Sequence, residues 1–261
     1  MLYDLDAHVA EIYDQIITEA QDIGLIRRLI GSRTDLRILE PFCGTGRMLI
    51  PLAIDGHRVV GLDRAQGMLA RAHTKVRALP SEVQERVTWL PTDVLREEWP
   101  LGFDLVILGS NCLYELGTSA EQAQVIASAA SALRPGGHLF VDNDHMEGEL
   151  DRSWYDPPVR ENVFPTGECA DGTRLKSRWE VIWYDAPRRL IRFLRQTRII
   201  LPDGGVVERE FVQQKHPVSA IEVAQWMGDQ GLKVEHMLGD YGGHPYTDSS
   251  PRAIFWARKT R

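Results

Sequence analysis

From residue 37 to residue 142 short apolar segments alternate with longer amphipathic ones, and this rhythm constrains the fold more than any other property of the chain. Arg37-Ile38-Leu39-Glu40 is followed by a helical stretch from Arg47 to Asp55 that Gly56 closes. His57 to Asp63 is a second strand, Gln66 to Ala78 a helical stretch, Val87 to Leu90 a third strand and Phe103 to Leu108 a fourth. A helix from Ala120 to Leu133 is broken by Pro135-Gly136-Gly137, and His138 to Asp142 is the fifth strand. Strands that are apolar on both faces and separated by helices belong in a parallel sheet with helices on each side, so the expected class is α/β, Rossmann-like and doubly wound.

The flanks follow other rules. Residues 7–30 carry apolar side chains at helical spacing, from Val9 through Tyr13 to Ile30, which predicts one or two amphipathic helices and makes residues 1–35 a candidate helical lid. Beyond Asn143 a polar stretch leads into three long strands, Leu175 to Tyr184, Leu190 to Leu201 and Val206 to Gln214. Their connections, Asp185-Ala186-Pro187-Arg188 and Pro202-Asp203-Gly204-Gly205, are turn-formers suited to hairpins. An antiparallel insertion is therefore expected at 146–215, between core segments 36–145 and 216–261. The second of these holds a helix from Ala220 to Gln230 and strands at Val234 to Leu238 and Ala253 to Ala257.

Composition narrows the class of partner. With 261 residues, 43% hydrophobic and 26% charged, the chain suits one α/β domain with an elaboration. The start lacks a basic, apolar signal and no run approaches the roughly 18 apolar residues of a spanning helix, so a cytoplasmic protein without a membrane partner is expected. Cys43, Cys112 and Cys169 form neither a disulfide framework nor a C-x-x-C pair, so reduced thiols and no metal are expected. A net charge of −7 disfavours generic nucleic-acid binding, which draws its affinity from clustered cations, and shifts weight to small molecules. Self-association into a homodimer stays open.

Chemistry concentrates at successive strand ends. The first strand runs into Glu40-Pro41-Phe42-Cys43-Gly44-Thr45-Gly46, where glycines allow positive φ and a close approach of a ligand to the backbone. Asp63 ends the second strand at about the 20-residue spacing at which nucleotide folds place an acid on ribose hydroxyls. Thr92-Asp93-Val94 follows the third strand, where a carboxylate can meet an exocyclic amine. A dinucleotide fold needs a third glycine inside the following helix, and Leu49 stands there instead.

Over roughly residues 8–143 the sequence resembles the class I S-adenosylmethionine-dependent methyltransferases. The resemblance rests on Glu40 through Gly46, Asp63, Asp93 and the Leu133-Arg134-Pro135-Gly136-Gly137 turn. It implies S-adenosylmethionine as cofactor, with Gly44 and Gly46 beside the methionine moiety, Asp63 on the ribose, Asp93 with Val94 on the adenine and Met68 against the adenine face. Glu40, Cys43, Arg64 and Gly109 complete the expected cofactor set. Tyr13 joins it because related enzymes place a tyrosine of the N-terminal lid near the cofactor's carboxylate. The family more often has glycine where this chain has Phe42.

The acceptor is less constrained. Gly109-Ser110-Asn111-Cys112-Leu113-Tyr114 lacks the proline pair with which base methyltransferases grip an exocyclic amine. The insertion resembles that of glycine and amino-sugar N-methyltransferases, which implies a small acceptor walled by Asn111, Tyr114, Asn143, His145, Arg178, Trp183 and Tyr241. His145, with an ordinary pKa near 6.5, is the candidate base for a hydroxyl acceptor, and Tyr114 is a second catalytic candidate. Arg188, Arg189, Arg192, Arg195 and Arg198 divide between two strand faces, so both a solvated edge and contact with an anionic substrate or RNA stay open. Methyl transfer to a small organic acceptor, at nitrogen rather than oxygen, is the expected activity. The alternatives are an RNA or protein methyltransferase and a non-catalytic S-adenosylmethionine sensor.

Overall fold

The computed structural model describes residues 2–4 and 6–260; Met1 and Leu5 of the expected lid and Arg261 of the expected core lie outside the described residues. The amphipathic start forms two helices, α1 (His8–Ile16) and α2 (Gln21–Ile30). The alternating region yields β1 (Arg37–Pro41), α3 (Leu49–Ile54), β2 (Arg58–Asp63), α4 (Gln66–Arg77), the short α5 (Ser81–Gln84), β3 (Val87–Pro91), β4 (Phe103–Leu108), α6 (Ser119–Ala132) and β5 (Leu133–Asp144). The insertion contains β6 (Val159–Glu161), β7 (Gly167–Glu168), β8 (Arg174–Asp185), β9 (Leu190–Ile200) and β10 (Val206–Lys215). The chain ends with α7 (Ala220–Asp229), β11 (Leu232–Leu238) and β12 (Arg252–Lys259).

Seven strands form the main sheet in the order β11-β12-β5-β4-β1-β2-β3. Strands β1 to β5 run parallel, and β12 is antiparallel to both β5 and β11. Alternate residues feed two cores. Ile38, Leu105 and Phe140 pack toward α2, α3 and α4, while Leu39, Val106 and Val141 pack toward α6 and α7. Helices α6 and α7 each open with a capping box, Thr118 with Glu121 and Ser219 with Glu222, which satisfies amide groups that a helix start leaves free.

The second sheet runs β10-β9-β8-β6, with β7 beside β8, and is antiparallel throughout. A third apolar cluster joins it to the body, with Val9 and Ile12 of α1 between Met68 of α4 and Leu175 and Ile199 of the second sheet. Gly67 permits the close approach of α1 to α4, because a Cβ there would lie 3.1 Å from the backbone of Ala7. Short β6 and β7 carry too little pattern to be read from sequence. All three cysteines are buried free thiols. No helix among the described residues is long and apolar enough to cross a membrane.

Candidate active site

The parallel strands end at a cleft lined by the loop after β1, the ends of β2 and β3 and the loop after β4. Of the cofactor candidates, Tyr13, Glu40, Cys43, Gly44, Asp63, Arg64, Met68, Asp93, Val94 and Gly109 all line it. Asp63 ties the glycine loop to β2: Oδ2 accepts from the Gly44 amide at 2.8 Å and Oδ1 from the Ala65 amide at 2.8 Å. Gly44 has φ +54°, and a Cβ added there would meet nothing within 4 Å, so its bare side faces open space. Gly46 is not among the lining residues. A Cβ on it would sit 2.5 Å from the Trp89 ring, so that glycine serves packing. Phe42 takes φ +62°, the left-handed conformation that the usual glycine would adopt freely and that costs an L-residue roughly 1–2 kcal/mol.

The cleft's polar end is built around Glu40 and Arg47. Glu40 is buried and, among the described residues, its Oε2 has no hydrogen-bond partner; burial, only partly offset by Arg47, pushes its carboxyl well above the usual range. Arg47 donates to Asp22 of α2, to the Glu19 carbonyl and, at 2.6 Å, to Ser110 Oγ. It thereby joins three segments around the cleft. Sequence reasoning missed Arg47 because it reads as the first residue of a helix; its charge directly after a glycine loop was the available signal.

The loop after β4 is held in an uncommon shape. Ser110 and Asn111 have φ of 53° and 60°, and backbone strain of this kind concentrates at functional sites. Buried Asp142 fixes it, accepting from the Ser110 amide and from Tyr241 Oη at 2.9 Å while pairing with Arg252. Asn111 exchanges two hydrogen bonds with Asp144, and Tyr114 Oη donates to the Asp144 carbonyl at 2.9 Å. Asn111, Tyr114 and Tyr241 thus brace the loop. His145 stacks on Tyr246 and shares a 2.9 Å hydrogen bond with its hydroxyl. Asn143 is buried and, among the described residues, its amide has no partner. None of these five lines the cleft.

Residues 39–139 match the family described as a methyltransferase domain. The matched residues run from β1 to β5, so the strands whose ends form the cleft carry a methyltransferase domain. The chain is 25% identical over 253 residues to the cypemycin N-terminal methyltransferase of a Streptomyces species, covering 92% of this chain and 94% of that one. It is 30% identical over 118 residues to the ubiquinone biosynthesis O-methyltransferase of Bordetella pertussis, covering 45% and 46%. The CcbJ methyltransferase from Streptomyces caelestis superposes with TM-score 0.71 at 18% identity over 100% of this chain and 99% of that one. The sugar N-methyltransferase KedS8 from a Streptoalloteichus species does so with TM-score 0.70 at 18% identity over 96% and 92%. At these identities the two structures share the fold.

The cleft of this domain fits S-adenosylmethionine chemically. An unpartnered buried carboxylate oxygen on Glu40 suits a cationic amino group, and the bare Gly44 leaves room for a ligand against the backbone. Tyr3, Cys112, Glu115 and Leu116 also line the cleft. Glu115 Oε1 accepts from Lys215 Nζ at 2.7 Å and Oε2 from Gln213 Nε2 at 2.8 Å, and Gln213 Oε1 accepts from Arg195 Nε. Burial alone would raise the Glu115 pKa; the Lys215 ammonium and these hydrogen bonds outweigh it and hold the carboxyl below its usual range. Lys215 and Arg195 in turn line a second cavity under the antiparallel sheet, with Ser153, Trp154, Arg160, Trp179 and Phe193.

Arg178 and Trp183, expected in the acceptor wall, lie elsewhere. Arg178 bonds Gln196 and faces Glu161 and Glu180, and Trp183 is 42% exposed under the Arg192 guanidinium. The reason is parity. Leu175, Ser177 and Trp179 supply the inner face of β8, so Arg178 points outward, and a register shift between Val181 and Trp183 resets the alternation beyond it. Tyr3, Glu115, Gln213 and Lys215 carried no sequence signal, and Arg195 only that of the arginine run, because only the docking of the second sheet brings them together.

Proposed function

We propose that this methyltransferase acts on a nitrogen of a small organic acceptor held where the cleft meets the inner face of the antiparallel sheet. The observation that carries the reading is Glu115, a carboxylate lining the cleft and kept ionised by Lys215 and Gln213. Such a group accepts an N–H and so fixes the direction of an amine's lone pair, yet it is too weak a base to strip a hydroxyl. When bound, S-adenosylmethionine supplies a methyl group already activated by its sulfonium. Glu40 receives the cofactor's amino group, Asp63 the ribose hydroxyls, and Asp93 with Val94 the adenine, between the apolar walls of Met68 and Phe42. Arg47 and Tyr13 stand where a carboxylate can be met.

What remains for the protein is alignment and exclusion of water, and alignment supplies on the order of 7–11 kcal/mol of such a barrier. Tyr3, Tyr13 and Phe164, with ring centroids 5.7–6.2 Å apart, put an aromatic cover over this side of the cleft. The helical segment and the antiparallel sheet act in this reading as lid and roof. The name of KedS8, a sugar N-methyltransferase, supports it, whereas the ubiquinone O-methyltransferase match covers less than half of the chain. The test incubates the enzyme and Glu115→Gln with cofactor and matched amine and alcohol acceptors and measures release of S-adenosylhomocysteine. Turnover of amines, with kcat reduced roughly tenfold or more in the variant, is expected; preferential turnover of the alcohols would overturn the assignment.

A further inference from the structure

The second cavity has a composition that the methyl-transfer chemistry does not require. It encloses about 250 Å³, a little below the roughly 300–1,000 Å³ of drug-sized sites. Its walls hold three aromatic rings, Trp154, Trp179 and Phe193, and three cations, Arg160, Arg195 and Lys215, with no carboxylate among the lining residues. Lys215 is neutralised by Glu115. The two arginines are not. Arg195 has the neutral Gln213 amide as its hydrogen-bond partner and lies 5.8 Å from the Phe193 centroid. Arg160 donates to the Ser153 carbonyl and lies 5.1 Å from the Trp179 centroid, and its Nε is a buried donor without a partner. Among the described residues no carboxylate pairs with either arginine, and the nearby Asp156 and Glu161 pair with Arg152 and Arg178.

Two guanidinium groups half withdrawn from water with no carboxylate in pairing distance, Arg195 feeling only the more distant Glu115 already shared with Lys215, cost free energy, and a ligand oxyanion would recover it. We propose that the acceptor carries a carboxylate or phosphate beside a ring, and that Arg160 and Arg195 receive this oxyanion while the aromatic walls hold the ring. The inference rests on the placement of the acceptor argued above and adds its chemical class. It also gives a use to the one arginine of the 188–198 run that faces inward on β9, since Arg192 and Arg198 are exposed. Glu115 of the cleft is hydrogen-bonded to Lys215 and, through Gln213, to Arg195 of this cavity, so the proposed amine and oxyanion positions adjoin one hydrogen-bonded chain.

Calorimetry on the full chain with benzoate, phenyl phosphate and benzyl alcohol tests the proposal, the last being a ring of similar size without charge. At least one oxyanion is expected to bind tenfold or more tightly than benzyl alcohol, and the preference between the two distinguishes a carboxylate from a phosphate site. Arg160→Gln and Arg195→Gln should each weaken that binding about tenfold. Arg195→Lys should restore part of it, and Lys176→Gln on the outer face should leave it unchanged. Equal binding of all three probes, or oxyanion binding that survives both arginine substitutions, would overturn the proposal. Comparing benzylamine with 4-(aminomethyl)benzoate as acceptors keeps the two readings separable. Equal methylation of both sinks the oxyanion site and leaves amine methylation standing, whereas arginine-dependent anion binding without methylation of any amine does the reverse.

Discussion

At the scale of single residues the cleft trades stability for binding. Glu40 occupies a buried position with an oxygen that nothing among the described residues satisfies, and Phe42 holds a backbone angle suited to glycine. For Glu40 the sign of the pH dependence follows from its raised pKa. The folded state holds the proton more tightly than the unfolded chain, so the residue costs stability once pH rises through the ordinary carboxylate range toward the folded value. Glu40→Gln should therefore raise the melting temperature of the cofactor-free protein at pH 7 by a few degrees, a gain that disappears below about pH 4. The same variant should bind S-adenosylmethionine roughly tenfold to a hundredfold more weakly, and wild-type affinity should fall as acid protonates Glu40. Calorimetry and thermal melts across pH check both halves. The acids at the strand ends were legible because strand length and glycine spacing place them. Arg47 and Glu115 were not, since their roles depend on partners far away in the chain.

At the scale of elements, one carboxylate adds a polar tie to the apolar attachment of α1. Asp14 accepts from Thr45 Oγ1 of the glycine loop at 2.6 Å and from Lys75 and Arg71 of α4 at 2.9 Å each. Burial would raise its pKa, but these hydrogen bonds outweigh it and depress the folded value. Its contribution is thus fully present above the unfolded carboxyl pKa, near 3.9, and is lost as pH falls through the folded one. Asp14→Ala should cost about 1–3 kcal/mol in urea titration and speed amide exchange in 8–16 ahead of the main sheet. The helix was legible from its periodicity, and its partner was not. For β8 and β9 the strands and turns were legible, but choosing the inner face requires knowing which parity meets the body, and this misplaced Arg178 and Trp183.

For the whole molecule, the cleft draws on the N-terminal helices, the glycine loop, the loop after β4 and, through Glu115, the antiparallel sheet. A ligand there stabilises every part that forms it. S-adenosylmethionine at a hundred times its Kd should add about 2.7 kcal/mol and raise the melting temperature by roughly 5–10 °C in a single cooperative transition. Differential scanning calorimetry checks this, and two separate transitions of which one ignores the cofactor would contradict the coupling.

The order of strands and helices, the glycine loop and the acids of the cofactor cleft were determined by the sequence itself, because hydrophobic period, turn chemistry and spacing along one chain act locally. Which face of the second sheet turns inward, which loop residues brace rather than bind, and how Glu115, Lys215 and Arg195 meet were decided only by tertiary structure. Those relations join residues about a hundred positions apart, and no local period encodes which surfaces will dock. The cofactor could be read before the fold was seen, whereas the proposed acceptor site takes shape only once the two sheets are together.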